Sequence, residues 1–303
     1  MKVGYNSNKE KYLVWHIEGG LGKNIASTAL LSSIKEKYPD RKVIMTVSHP
    51  EVFVNNSDIY RVYSLGNIPY FYQDYIEDKD VLVFRQEGYF QTGHITKEKH
   101  LINNWCDILG LEYKKQIPVI NFNLVQKRMV NLWRKDKPIL LIQSNGGPME
   151  DSKIYSWTRD IPPMLVRRIV ERYKDEYHIV QVCRNKEEVI NGVDEAYYQP
   201  MSNFELFTLL SATNKRVLID SCLQHAAAAL NLPSTVLWVG TSPKVFGYES
   251  HSNVVANQPK NKPKLVNSYL FDYSFNGEVM ECPYDDVTEI FNLEDIFESI
   301  DKI

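Results

Sequence analysis

The chain has 303 residues, 44% of them apolar and 24% charged, and its 35 Lys+Arg against 38 Asp+Glu leave a formal net charge of −3. That is the make-up of a folded globular protein with room for two domains of ordinary size, and it excludes collagen-like, low-complexity and coiled-coil architectures. No run of 18 apolar residues is present, so no membrane-spanning helix is expected, and the opening Met1-Lys2-Val3-Gly4-Tyr5-Asn6 lacks the apolar core of a secretion signal, which points to the cytoplasm.

Short apolar runs alternate with helical patterns along the chain, the mark of an α/β protein with parallel strands. A strand is expected over 12–17, followed by Gly19-Gly20-Leu21-Gly22 and an amphipathic helix over 24–37 that stops at Tyr38-Pro39. Further strands are expected over 42–47 and 81–84, and a helix over 97–109 closed by Gly110. The charged segment 126–137 reads as a linker, which divides the chain into domains 1–135 and 136–303. A second α/β series then begins with a strand over 139–143. It continues with a helix over 162–173, a strand over 179–183 and a helix over 203–212 capped by Ser202 or Asn203. A strand over 217–219, a helix over 222–230, a strand over 235–239 and a closing helix over 293–300 capped by Asn292 complete the series.

The four cysteines, Cys106, Cys183, Cys222 and Cys282, are far apart and none pairs as CxxC. Reduced thiols are expected, with neither a disulfide framework nor a zinc site. Charge is distributed unevenly: residues 1–137 hold 20 Lys+Arg against 15 Asp+Glu, and residues 138–303 hold 15 against 23. Such asymmetry suits a first half that meets an anionic partner, although chance accounts for it equally well.

Several short constellations carry possible chemistry. Glycines Gly20 and Gly22 at a strand-to-helix turn, ahead of Lys23, let backbone approach a ligand and put a helix N-terminus beside it. The spacing fits neither GxGxxG nor a Walker loop, and a tight turn needing positive φ explains it as readily. In Asp220-Ser221-Cys222-Leu223-Gln224-His225, a strand gives way to an alanine-rich helix. First-turn amides with Ser221 and His225 suit a diphosphate there, while helix capping and a core histidine are the plainer alternatives. Gly240-Thr241-Ser242-Pro243, one strand later, opens on the same sheet edge and suits sugar or phosphate, or is an ordinary turn. Lys153 and Arg159 flank Trp157 after the first strand of the second half, where a cation meets a phosphate or only solvent. Aromatics at Tyr70, Phe71, Tyr72, Tyr75, Tyr89 and Phe90, with Lys97, Lys99 and His100 nearby, suit stacking on sugars or bases as well as plain packing.

Taken in order, these motifs resemble the heptosyltransferase-type glycosyltransferases of GT-B architecture. The first half is similar in its strand, Gly-rich loop and helix running from Lys35 to Pro39. The second half is similar in Asp220-Ser221 through His225-Ala226-Ala227-Ala228-Ala229-Leu230-Asn231-Leu232-Pro233, against the family's Asp-Ser/Thr-Gly-x-x-His-x-Ala-Ala-Ala-Leu-Gly-x-Pro signature. Trp157, Arg159, Pro162 and Cys282 match further pieces. The resemblance implies two Rossmann-like domains with an interdomain cleft, the acceptor on 1–135 and a nucleoside-diphosphate sugar on 136–303. It implies that Asp220, Ser221, Cys222 and His225 hold the donor with Thr241, that Lys153 or Arg159 neutralises phosphate, and that Gly20, Gly22, Tyr89 and His94 lie on the acceptor side. It also implies that neither metal nor cofactor is needed, amides and cations stabilising the leaving diphosphate.

The chain departs from the family at one chemical position. The family's Gly-rich loop ends in an Asp that is its proposed base; here the place is Lys23, and Cys222 replaces the signature's first Gly. A lysine at its usual pKa accepts no proton. Glu18 is the nearest carboxylate, with Glu87, Asp58 and His94 behind it, and Lys23 is free to contact an anion. The expected function is an inverting, metal-independent glycosyltransferase with a polyanionic acceptor. That acceptor is a surface glycan, or hydroxymethylated pyrimidine DNA if the chain is phage-encoded. A non-catalytic nucleotide-sugar binder and a GT-B epimerase are the alternatives. Donor base, donor sugar and oligomeric state are not legible in the sequence.

Overall fold

The computed structural model describes residues 9–146, 156–257 and 284–303. The chain forms two compact units, Met1–Gln91 with Leu101–Asn121, and Thr92–His100 with Phe122–Ile303. The first contains four parallel strands, β1 (Lys11–Ile17), β2 (Lys42–Val47), β3 (Arg61–Ser64) and β4 (Asp80–Phe84), in the order β3-β2-β1-β4. The central strand β1 buries Tyr12, Leu13, Val14 and Trp15 in succession, because a parallel strand covered on both faces needs a continuous apolar run. Trp15 packs edge-on against Trp105 of helix Leu101–Leu109, with ring centroids 5.9 Å apart.

The second unit contains six parallel strands, β5 (Ile139–Gln143), β6 (His178–Val182), β7 (Glu195–Tyr197), β8 (Lys215–Ile219), β9 (Thr235–Trp238) and β10 (Ser252–Val255). Their order is β10-β9-β8-β5-β6-β7. Helices Pro163–Tyr173 and Leu293–Lys302 seal one face over Leu140, Ile142, Ile179, Val217, Ile219 and Leu237. Helix Asn203–Ala212 starts in a capping box, Ser202 with Glu205. In both units the chain winds outward in two directions from a central strand. The order reverses between β1 and β4 in the first unit and between β5 and β8 in the second. At such a reversal the connections diverge and leave a crevice beyond the carboxyl ends of the two strands.

Three strands, β3, β7 and β10, were not foreseen. They are short edge strands of three or four partly exposed residues, without the buried run that marks a centre. The helix expected over 24–37 is broken into Leu21–Ser27, a turn Thr28–Leu30, and Leu31–Lys37. At the break Thr28 Oγ1 donates to the Ile25 carbonyl at 2.7 Å and accepts from the Val119 amide at 2.8 Å. The helix expected from 97 starts at Leu101, since Lys97 sits at φ 58°.

The segment read as a linker is instead helix Leu124–Leu132, opened by a capping box of Asn123 and Gln126. Beyond it the Trp133 indole donates to Thr208 Oγ1 at 3.0 Å and packs edge-on against Tyr197. These contacts draw residues 122–135 into the second unit, so the chain passes between units at Asn121/Phe122 and not at 135/136. Among the described residues, no helix is long and apolar enough to cross a membrane.

Ile142, fully buried on β5 between Gln181 of β6 and Val217 of β8, tests this core. Ile142→Ala is expected to cost about 2–5 kcal/mol, read as a lower urea midpoint with an unchanged slope.

Candidate functional site

In the first unit the crevice at β1 and β4 is built from the loop after each strand. Gly19, at φ 102°, makes the sharp turn out of β1. Gly20 is the extended N-cap, and Gly22 lies inside helix Leu21–Ser27. Of the three glycines, then, only Gly19 uses the conformation that favours glycine. The turn is held from both sides. The Gly19 amide donates to Ser48 Oγ at 2.9 Å, and buried Asn24 Nδ2 donates to the Gly19 and Gly20 carbonyls at 3.2 and 3.0 Å.

Glu18, Lys23, Arg85, Glu87 and His16 line a cavity of about 60 Å³ here, too small for a sugar and therefore the floor of a site at most. Lys23 is buried, and its ammonium makes a short ion pair with Glu87 while lying over the Tyr89 ring, 4.9 Å from its centroid. Lys23 is thus not the free anion contact expected. Burial of its ammonium demands a counter-charge, and Glu87 supplies it. Glu87 Oε1 also accepts the Tyr89 amide at 3.2 Å, which fixes the turn carrying both residues. Gly88 is required in that turn, since a Cβ there would stand 2.8 Å from the Trp105 indole nitrogen.

Arg85 is the cation of this group whose side chain forms no hydrogen bond or ion pair among the described residues. Glu18 keeps its side chain 66% exposed, its Oε2 lying 3.4 Å from His16 Nε2. Asp58 accepts from Ser32 Oγ at 2.8 Å and does not line the cavity.

In the second unit the crevice at β5 and β8 collects residues from three of the expected constellations. Asp220 follows β8, is buried, and accepts from Thr241 Oγ1 at 2.5 Å. Burial pushes its carboxyl above the ordinary range, opposed by the positive charge of Arg159 and by the Thr241 hydrogen bond. Burial likewise raises the Cys222 thiol. Ser221 is the N-cap of helix Cys222–Ala229, and its Oγ accepts from Gln143 Nε2 at 2.9 Å across the strand reversal. The Gly240 amide donates to the Thr158 carbonyl at 2.7 Å, an approach so close that a Cβ would clash, and it brings Arg159 to Asp220. Arg159 makes no hydrogen bond among the described residues. Lys153 and Cys282 lie outside the described residues.

Next to this edge is a cavity of about 260 Å³ between the ends of β5 and β6, lined by Asn145, Trp157, Asp160, Arg184 and Glu188 over an aliphatic floor. Arg184 makes a short ion pair with Asp160 and a 3.1 Å bond to Glu188 Oε1. Burial raises the Asp160 carboxyl against the pull of Arg184. The Trp157 indole nitrogen and Glu188 Oε2 are buried without a hydrogen-bond partner. The sequence reading passed over Asp160, Arg184 and Glu188. The spacing of Arg184 and Glu188 is an ordinary helix-surface pair, and nothing local ties it to Asp160.

His225 and His94 fall elsewhere than expected. His225 is buried, with Nδ1 2.7 Å from Tyr248 Oη and Nε2 3.0 Å from Gln224 Nε2, so both ring nitrogens are spent inside the unit. His94 belongs to Thr92–His100, which joins the second unit, and it is buried against Phe246 with ring centroids 5.6 Å apart. It thus folds with the second unit and not, as expected, with the first. His100 and His251 pack on Tyr248 beside them.

No protein-family model and no curated protein sequence matches the chain significantly. Solved structures do match its fold. The family 9 glycosyl transferase of Veillonella parvula DSM 2008 superposes with a TM-score of 0.68 over 98% of this chain and 99% of that one, at 11% identity. Escherichia coli ADP-heptose LPS heptosyltransferase II gives 0.61 over 95% and 98%, at 13% identity. TibC, an iron-containing dodecameric glycosyltransferase from enterotoxigenic E. coli H10407, gives 0.66 over 97% and 76%, at 12% identity. At such identity the likeness is one of fold, and the fold is the GT-B pairing of Rossmann-like halves expected from the sequence.

The histidine group sets a pH dependence. Burial lowers His225 to about 3 and His100 and His251 to about 4, from an ordinary 6.5. Between pH 6.5 and about 4 the unfolded chain binds protons that the native chain refuses, so stability is expected to fall as pH drops through that window. Melting temperatures measured from pH 7.5 to 4 check this, and His225→Gln is expected to flatten the acid-side slope.

Proposed function

We propose that the chain is a glycosyltransferase that moves a sugar from a nucleoside-diphosphate sugar to a hydroxyl of an anionic acceptor, with inversion and without a metal. The observation that carries this reading is the convergence of Ser221, Thr241, Arg159 and the first turn of helix Cys222–Ala229 at the reversal between β5 and β8. Amides at that turn and the Arg159 guanidinium are the groups that take up the charge growing on a departing diphosphate. Thr241 holds buried Asp220 beside them. The 260 Å³ cavity under Trp157 and Glu188 opens from the same edge, and its one unpartnered donor and one unpartnered acceptor suit the nucleoside half of the donor.

Glu18 is the base. It draws the proton from the acceptor hydroxyl as that oxygen bonds to the anomeric carbon, and the bond from that carbon to the diphosphate breaks with its electron pair leaving on the nucleoside diphosphate. Arg85, lining the same cavity as Glu18, takes the anion contact that Lys23 cannot, because Lys23 is neutralised by Glu87. A polyanionic glycan fits the acceptor side better than DNA, since the chain's net charge is −3.

A non-catalytic nucleotide-sugar binder is the second reading, favoured by Lys23 standing where the family's loop carries its Asp. Two measurements decide. A thermal-shift panel of nucleoside diphosphates and their sugars is expected to give one selective upward shift, and none at all overturns the reading. Glu18→Gln is expected to abolish nucleoside-diphosphate release, by at least about a hundredfold, while keeping that shift. Binding without release in the unaltered chain selects the second reading, and an altered sugar recovered from donor alone selects an epimerase.

A further inference from the structure

We propose that His16 is a positioning residue for Glu18, the middle member of a Thr46–His16–Glu18 chain that aims the carboxylate. The inference rests on the reading of Glu18 as base.

Strand geometry assembles the chain. His16 of β1 and Thr46 of β2 are register partners on adjacent parallel strands, so their side chains share a face, and His16 Nδ1 lies 3.1 Å from Thr46 Oγ1. Glu18, two residues after His16, returns to that face, and its Oε2 lies 3.4 Å from His16 Nε2. A carboxylate carries no proton, so Nε2–H must donate to it. Neutral imidazole then has only Nδ1 left as acceptor, and the buried Thr46 hydroxyl donates there. The Thr46 hydroxyl, which can donate or accept, supports the tautomer that serves Glu18.

Among the described residues, no other side chain restrains Glu18. Its carboxylate is largely exposed and makes no further hydrogen bond among the described residues. The backbone after it is locked by Ser48 and Asn24, so the freedom that remains is rotameric, and His16 is what limits it. The other charged groups facing this cavity are Lys23 from the helix after β1, and Arg85 and Glu87 from the loop after β4. Lys23 and Glu87 are paired with each other, which leaves Arg85 as the cation near Glu18.

In the reaction His16 keeps its proton throughout. By engaging Oε2 it leaves Oε1 for the acceptor hydroxyl.

The test measures nucleoside-diphosphate release, with water as acceptor, from the nucleotide sugar that gives the selective thermal shift. His16→Ala is expected to lower kcat about tenfold or more and leave the donor KM unchanged. His16→Gln, which restores an N–H, is expected to recover part of kcat at the same donor KM. Thr46→Val is expected to lower kcat by less, again with the donor KM unchanged, and it carries the test if His16→Ala fails to fold. An unchanged kcat in both His16→Ala and Thr46→Val overturns the proposal, and so does a loss that His16→Gln does not recover, because a merely structural role is not rescued by returning one N–H. If Glu18→Gln keeps turnover, the reading of the base fails and this proposal with it. If Glu18→Gln is inactive and His16→Ala is unchanged, only this proposal fails.

Discussion

Strand β5 is hydrogen-bonded on one side to β6 and on the other to β8, and β1 stands likewise between β2 and β4. Because the chain winds away from each of these strands in both directions, the loops above the reversal cannot cover one another, and two sheet edges are left open to a ligand. The residues of chemical interest lie at these openings. Glu18, Lys23 and Glu87 gather at one; Gln143, Arg159, Asp220, Ser221 and Thr241 gather at the other. The apolar centres of β1 and β5 bear the stability, and the polar ends of the same strands gather the ionisable groups.

The charges at these edges obey one rule, that a cation or carboxylate removed from water must meet its opposite. Lys23 meets Glu87 and Tyr89; Asp160 meets Arg184; Asp220 has Thr241 and the field of Arg159. That rule explains how a buried lysine is tolerated in the loop after β1. Glu87, brought from the far side of the crevice, neutralises it, and Gly88 allows the turn to close against Trp105. The carboxylate left open to solvent in this edge is Glu18, and the cation left without an ion pair is Arg85.

Thr92–His100 shows the same economy in apolar form. This stretch leaves the first unit and joins the second, where His94 lies on Phe246 and His100 on Tyr248. His225 and His251 pack with His100 around Tyr248, and burial holds these three neutral at ordinary pH. His225, which belongs to a ligand motif by its sequence context, works here as packing and as a hydrogen-bond partner of Tyr248. The cost of that arrangement appears only in acid, when the imidazoles must be charged to leave the core.

What the sequence determined by itself is whatever depends on neighbours in the chain. The central strands are legible because burial on both faces demands a continuous apolar run, and the helix starts at Ser202 and Asn292 because their caps are local. The turn at Asp220-Ser221 is legible for the same reason: a strand end, a cap and an alanine helix follow one another within a dozen residues. The edge strands escaped, since three or four half-exposed residues carry no pattern of their own. Tertiary structure alone decided that Lys23 is spent on Glu87, that Arg184 reaches Asp160, that residues 122–135 fold with the second unit through Trp133, and that Thr46 stands behind His16. Each of these joins residues that the chain holds far apart, and a buried charge or an indole N–H chooses its partner by distance in space, which no run of adjacent residues encodes.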